Sequence, residues 1–177
     1  MQSHRSRQPI TWLTFDVGQK NTVGLSIEFY AGDAEAIGKA FTEYEFEGLR
    51  DGSIAHSYVD FSLHISVADL DVLSEQIAGV LDGEPVRLLD SLERHVGGTP
   101  DESSADLVAR AWVEFVAGVP KESASQLSAL WLSAVMAETG EEIDVDSPDA
   151  RRAVEELLSL CQDALAKSTD VVFAWYL

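Results

Sequence analysis

Hydrophobic and polar residues alternate along three stretches in the first third of the chain. In ITWLTFDV (10–17), Leu13, Phe15 and Val17 share one face, with Trp12, Thr14 and Asp16 on the other. After a turn, GQKN, the stretch TVGLSIEFY (22–30) sets Val23, Leu25, Ile27 and Phe29 against Thr22, Gly24, Ser26, Glu28 and Tyr30. A period of two on both sides of a Gly/Asn turn predicts a β-hairpin with one apolar face. The third stretch, HSYVDFSLHIS (56–66), predicts a strand at about 57–66. It puts His56, Tyr58, Asp60, Ser62, His64 and Ser66 opposite Ser57, Val59, Phe61, Leu63 and Ile65. Between the second and third stretches, Asp33 is placed to cap a short helix, DAEAIGKAFTEY, with Ile37, Ala40, Phe41 and Tyr44 inward.

Beyond Ser66 the period becomes helical. Ser66 and Asp69 form a capping box with Asp in place of Glu, and Leu70, Leu73, Ile77, Val80 and Leu81 recur at helical spacing. Gly83 and Pro85 separate this helix from a second stripe, Val86, Leu89, Leu92 and Val96. Thr99-Pro100-Asp101-Glu102 has the composition of a helix start and leads to Val108, Trp112, Phe115 and Val116. A further helix carries Leu127, Leu130, Trp131, Ala134 and Val135 and stops at Gly140. Ser147-Pro148 opens the last, with Val154, Leu157, Leu158, Cys161 and Leu165 inward. The closing run, DVVFAWYL, is apolar on both faces, the mark of an interior strand.

The expected fold is therefore α+β: about four mainly antiparallel strands, one face covered by about five or six helices, and the C-terminal strand inside the sheet. Residues 1–9 read as a flexible basic N-terminal arm and residues 10–177 as a single domain.

Composition narrows the function classes. With 177 residues, 46% of them hydrophobic, the chain can bury a core without a disulfide or metal. Cys161 is its one cysteine, which excludes an internal disulfide and any cysteine-cluster metal site. The start of the chain has no apolar signal region, and no run approaches the ~18 apolar residues of a membrane span. A cytoplasmic protein without a cofactor is expected. The 31 acidic residues outnumber the 12 basic ones, a formal net charge of −19. Such a field repels nucleic-acid phosphates and anionic lipid and attracts basic partners. No nucleic acid and no membrane are expected as partners; a basic protein is.

Two histidines, a carboxylate and two hydroxyls on one face of 56–66 have the composition of a site. On a regular strand, though, residues eight apart lie ~26 Å apart, whereas zinc needs each ligand atom about 2.0–2.3 Å away. A wetted strand face accounts for all of these residues. Trp12 and Tyr30 face one another across the predicted hairpin, and with Tyr58, Asp60 and His64 they make the candidate surface contact, since Trp and Tyr are frequent in binding hot spots.

The stretch LTFDVGQKNTVGLS resembles the first hairpin of RNase H-like nucleases and of actin-like sugar-kinase ATPases, over about fourteen residues. The resemblance implies a metal-holding carboxylate at Asp16, with Gly18, Lys20, Asn21 and Thr22 near a phosphate and Asp60 as the nominated second acid. Beyond these residues the chain departs from both families, with a helix where their third strand comes. Gly18 is not followed by the G-K-[ST] of a phosphate-binding loop. ETGEEIDVDSPD (138–149) lacks the central glycine of a calcium loop and reads as a solvated connection.

The leading expectation is a non-catalytic interaction protein, an immunity- or antitoxin-like inhibitor or an accessory subunit, presenting acids to a basic partner. The alternative is a metal-dependent phosphoryl-transfer or hydrolytic enzyme built on Asp16. A small-molecule binder with a pocket between sheet and helices is a third reading.

Overall fold

The computed structural model describes residues 25–63, 65–99 and 101–177. Five strands, β1 (Ser26–Gly32), β2 (Ala55–Asp60), β3 (Leu92–Gly97), β4 (Ser103–Val108) and β5 (Asp170–Tyr176), form one antiparallel sheet in the order β2-β1-β5-β4-β3. The fold is α+β and the C-terminal strand lies at the centre of the sheet.

Six helices cover it: α1 (Ala34–Thr42), α2 (Phe46–Arg50), α3 (Val67–Leu81), α4 (Arg110–Ala117), α5 (Ala124–Thr139) and α6 (Pro148–Lys167). They divide between the two faces instead of gathering on one. Ile27, Phe29 and Ala31 of β1 join the larger core with residues of α3 to α6, while Tyr30 joins a second core with Ile37, Phe41 and Leu49 from the α1–α2 side. The larger core is aromatic at its centre: Trp112 stacks on Phe29 at 5.7 Å, and Phe61 lies 5.8 Å from Phe29 and 5.7 Å from Trp131. The buried indoles also find polar partners, Trp112 donating to Ser74 Oγ at 3.3 Å and Trp131 to the Asp69 carbonyl at 2.7 Å.

Local signals set most of the helix ends. Asp33 accepts from the Ala36 amide at 2.8 Å, Asp69 accepts from the Ser66 amide at 2.6 Å, and Ser147 accepts from the Ala150 amide at 3.3 Å. Gly140 closes α5 in the left-handed region at φ 71°.

The segment 86–108 departs from its expected helices. A 3-10 turn, Leu89–Ser91, leads into the β3–β4 hairpin, and α4 begins only at Arg110. Register shifts at Leu92/Arg94 and His95/Gly97 spoil the period of two in β3, so its apolar residues fall by chance at helix-like intervals. Thr99 and Asp101 belong to the hairpin turn: the Ser103 amide donates to the Thr99 carbonyl at 3.0 Å, and Gly98 takes φ 115°. The turn uses the same short polar residues that cap helices.

Two smaller corrections concern the first third. β1 is paired with β2 on one edge and with β5 on the other. Residues 10–17 and the 1–9 arm lie outside the described residues. The third strand ends at Asp60, whose carboxylate accepts from the Ser62 amide at 2.8 Å and turns the chain. Tyr44 lies outside α1 and is 57% exposed.

Backbone meets backbone where α1 crosses β3. A Cβ on Gly38 would overlap the Val96 carbonyl, and one on Gly97 would overlap the Gly38 carbonyl. Gly79, exposed on α3, faces open space. Gly38→Ala should therefore lower unfolding free energy by about 2 kcal/mol through overpacking. Gly79→Ala should raise it by about 0.5–1 kcal/mol through helix propensity. Urea titration reads both, and equal responses at the two positions would contradict the close approach.

Candidate functional site

Of the residues singled out from sequence, Tyr58 and Asp60 come together at the exposed end of the edge strand β2. Tyr30 does not join them at the surface. It is fully buried because α1 and α2 roof its face of the sheet, and its ring packs 6.2 Å from that of Tyr58. Trp12, Asp16 and His64 lie outside the described residues. His56 is half-buried near Lys167 and Asp163; burial first, then the Lys167 charge, hold its imidazole below the usual range.

Tyr58 and Asp60 line a groove of about 490 Å³ between the end of β2, the loop after it and α6. Asp149, Arg152 and Glu156 form its other wall. Their spacing of three and four puts them on one stripe of the helix. Arg152 is tied to Asp149 at 2.8 Å, while Asp60 and Glu156, which also line the groove, form no ion pair among the described residues. The acid-rich stretch 138–149, from the end of α5 to the start of α6, ends at the same place, and Glu138, Glu141, Glu142, Asp144 and Asp146 are all exposed. Among the described residues no group of three or more His, Cys, Asp or Glu side chains is placed to hold a metal ion.

The hairpin assembles a Ser-His-Asp trio that the helical reading of 86–108 hid. His95 Nδ1 lies 3.1 Å from Ser104 Oγ and 3.3 Å from Asp106 Oδ1, and the Ser104 hydroxyl donates to Asp106 Oδ2 at 2.7 Å. A nucleophilic serine would hand its proton to one imidazole nitrogen while the acid held the other. Here hydroxyl and carboxylate meet the same nitrogen, and the serine proton points to the acid. The trio ties two neighbouring strands together, with His95 exposed and Ser104 and Asp106 half-buried.

A second polar cluster lies inside the fold. Glu28, 2% exposed, accepts from the Tyr30 hydroxyl and from Arg50 at 2.6 Å; Arg50 also donates to the Tyr176 hydroxyl at 2.7 Å. Burial, reinforced by the Glu28 charge, pushes the Tyr30 phenol far up, so it stays a donor. The sequence signal was the alternation of 22–30, which put Glu28 and Tyr30 on one face without showing that the face is covered. Arg50 comes from α2, so only tertiary packing supplies the counter-charge. Cys161 is buried, and burial pushes its thiol up, away from the reactive thiolate.

Comparison with protein-family models, with curated proteins and with solved structures finds no match to this chain.

Removing the buried acid leaves the Tyr30 hydroxyl without its acceptor, while Arg50, 37% exposed, still reaches water. Glu28→Ala should cost about 2 kcal/mol of unfolding free energy, measured by chemical denaturation. A loss under about 1 kcal/mol would show that the pair contributes little. The Ser104 hydroxyl should resist phosphonylation by a fluorophosphonate probe at neutral pH, as read by intact-mass spectrometry. Stoichiometric labelling at Ser104 would mean an activated nucleophile.

Proposed function

We propose that this chain is a non-catalytic cytoplasmic binding protein whose acidic surface receives a basic protein partner, in the manner of an immunity- or antitoxin-like inhibitor or an accessory subunit. The observation that carries the reading is the β2–α6 groove, lined by Tyr58 and by the carboxylates of Asp60 and Glu156, which form no ion pair among the described residues. An aromatic face flanked by acids suits an arginine side chain, which stacks on rings and pairs with carboxylates.

The distribution of cations supports the same reading. Lys39, Arg50, Arg87, Arg94, Arg110 and Arg152 already lie against acids of the chain itself. They offer little positive surface to a phosphate backbone, while the acid excess stays in water. Among the described residues no helix is long and apolar enough to cross a membrane. The enzyme reading rests on Asp16, outside the described residues, and on Asp60, which already accepts a hydrogen bond from Ser62.

An arginine-rich peptide titrated by fluorescence anisotropy tests the proposal. Binding should weaken roughly tenfold or more as salt rises from about 50 to about 300 mM. Asp60→Asn combined with Glu156→Gln should weaken it roughly tenfold at low salt. The same charge change at exposed Glu122 and Glu138 should have far less effect. Absence of binding at any salt, or equal losses from the two pairs, would overturn the groove as the docking site.

A further inference from the structure

A second cavity, of about 420 Å³, lies on the α1–α2 side of the sheet, between the turn joining those helices, the β3–β4 hairpin and the end of β5. Its walls are aromatic. Tyr44 meets Phe46 at 5.9 Å with the rings inclined by 71°, and Phe46 meets Tyr176 at 5.2 Å and 30°. Tyr44 is the unusual member. It is the most exposed of the large apolar side chains described, at 57%, and its backbone holds φ 60°. That backbone belongs to the turn ending α1, where the Glu45 amide donates to the Ala40 carbonyl at 2.8 Å, and it swings the Tyr44 ring outward over the cavity. The Tyr44 hydroxyl reaches Thr99 Oγ1 at 3.3 Å, which ties the ring to the opposite wall.

The charge at this cavity has one sign. Glu102 is the charged side chain of the lining, it is exposed, and it forms no ion pair among the described residues. Its carbonyl accepts from the Leu177 amide at 3.0 Å, which fixes the rim. The nearby Arg50 guanidinium lies 5.5 Å from the Phe46 centroid, but Glu28 neutralises it at 2.6 Å. Ser103 Oγ is engaged with the Thr99 amide and hydroxyl, each at 3.0 Å, so the Glu102 carboxylate is the main free side-chain acceptor of the lining among the described residues.

Aromatic faces carry negative quadrupole potential and attract cations within about 6 Å of the ring centroid. A primary ammonium must give up strong hydration to enter such a place, and few acceptors here would replace it. A methylated ammonium has no such hydrogen bonds to lose, and its methyl groups pack on the rings. We propose that the Tyr44–Phe46–Tyr176 cleft with Glu102 at its rim binds a quaternary or methylated ammonium group. This site is separate from the β2–α6 groove and stands or falls independently of it.

Choline and its uncharged isostere 3,3-dimethyl-1-butanol distinguish a cation site from an apolar cleft. In an NMR titration following the Tyr44 and Tyr176 ring signals, choline should bind roughly tenfold more tightly than the alcohol. Glu102→Gln should weaken choline several-fold. Tyr44→Gly, which removes the ring while keeping the left-handed backbone unstrained, should weaken it roughly tenfold, with the thermal melt of both variants retained. Asp60→Asn with Glu156→Gln should leave choline binding unchanged, so failure of the basic-partner reading would not touch this result. Equal binding of the two probes, no choline response, or wild-type choline affinity in either cleft variant would overturn the proposal.

Discussion

β5 runs through the middle of the sheet with Val171 and Phe173 in one core and Val172 and Ala174 in the other. A strand apolar on both sides cannot leave either face of its sheet in water. At ~25 cal/mol per Å² of apolar surface, stripping one cover would expose several large side chains at once. The chain meets this constraint unequally. Four helices with the larger core lie on one face, while α1 and α2 close the other from a short stretch of sequence. The close Gly38–Gly97 approach follows from the thin second layer, since α1 must lie near the sheet to cover Val172 and Ala174.

The thin layer also explains where the buried charge sits. β1 puts Glu28 under α2, too near the middle of the sheet to reach water, and α2 answers with Arg50. An ion pair of this kind is weak evidence for stability, because dehydrating Glu28 offsets its attraction to Arg50, which stays partly in water. It does define geometry: Arg50 is anchored to Tyr176 of β5 as well as to Glu28 of β1, so the short helix has one orientation on the sheet. Phe46, on the same helix, is thereby set against Tyr176 and beside Tyr44. The aromatic cleft is thus a consequence of how the small layer is fastened.

The β2–α6 groove has a different origin. Among the described residues β2 is an edge strand, and Asp60 ends it by turning the chain, which leaves Tyr58 and Asp60 on a border. α6 brings acids to that border because its buried stripe, Val154, Leu157, Leu158 and Cys161, fixes which side faces out. The other edge strand, β3, carries Glu93, Arg94 and His95 and two register shifts, features that discourage strand addition. The two borders therefore differ in kind: one is an acidic recess, the other a charged and irregular edge.

Much of the fold was legible from local pattern. The helix starts at Asp33, Ser66 and Ser147 and the stop at Gly140 are short-range hydrogen-bonding and backbone preferences, written in a few adjacent residues. The two-sided apolarity of 170–176 announced an interior strand, and the inward stripes put Trp112 and Trp131 in the core. The β3–β4 hairpin was not legible, because bulges erased its period and its turn uses helix-capping residues. The burial of Tyr30, the partnership of Glu28 with Arg50, and the meeting of His95, Ser104 and Asp106 were likewise hidden. Local periodicity says which residues share a side of an element, and that much the sequence determined by itself. Which sides end up covered, and which distant side chains meet, depends on contacts between residues far apart in the chain, and those only the tertiary structure decided.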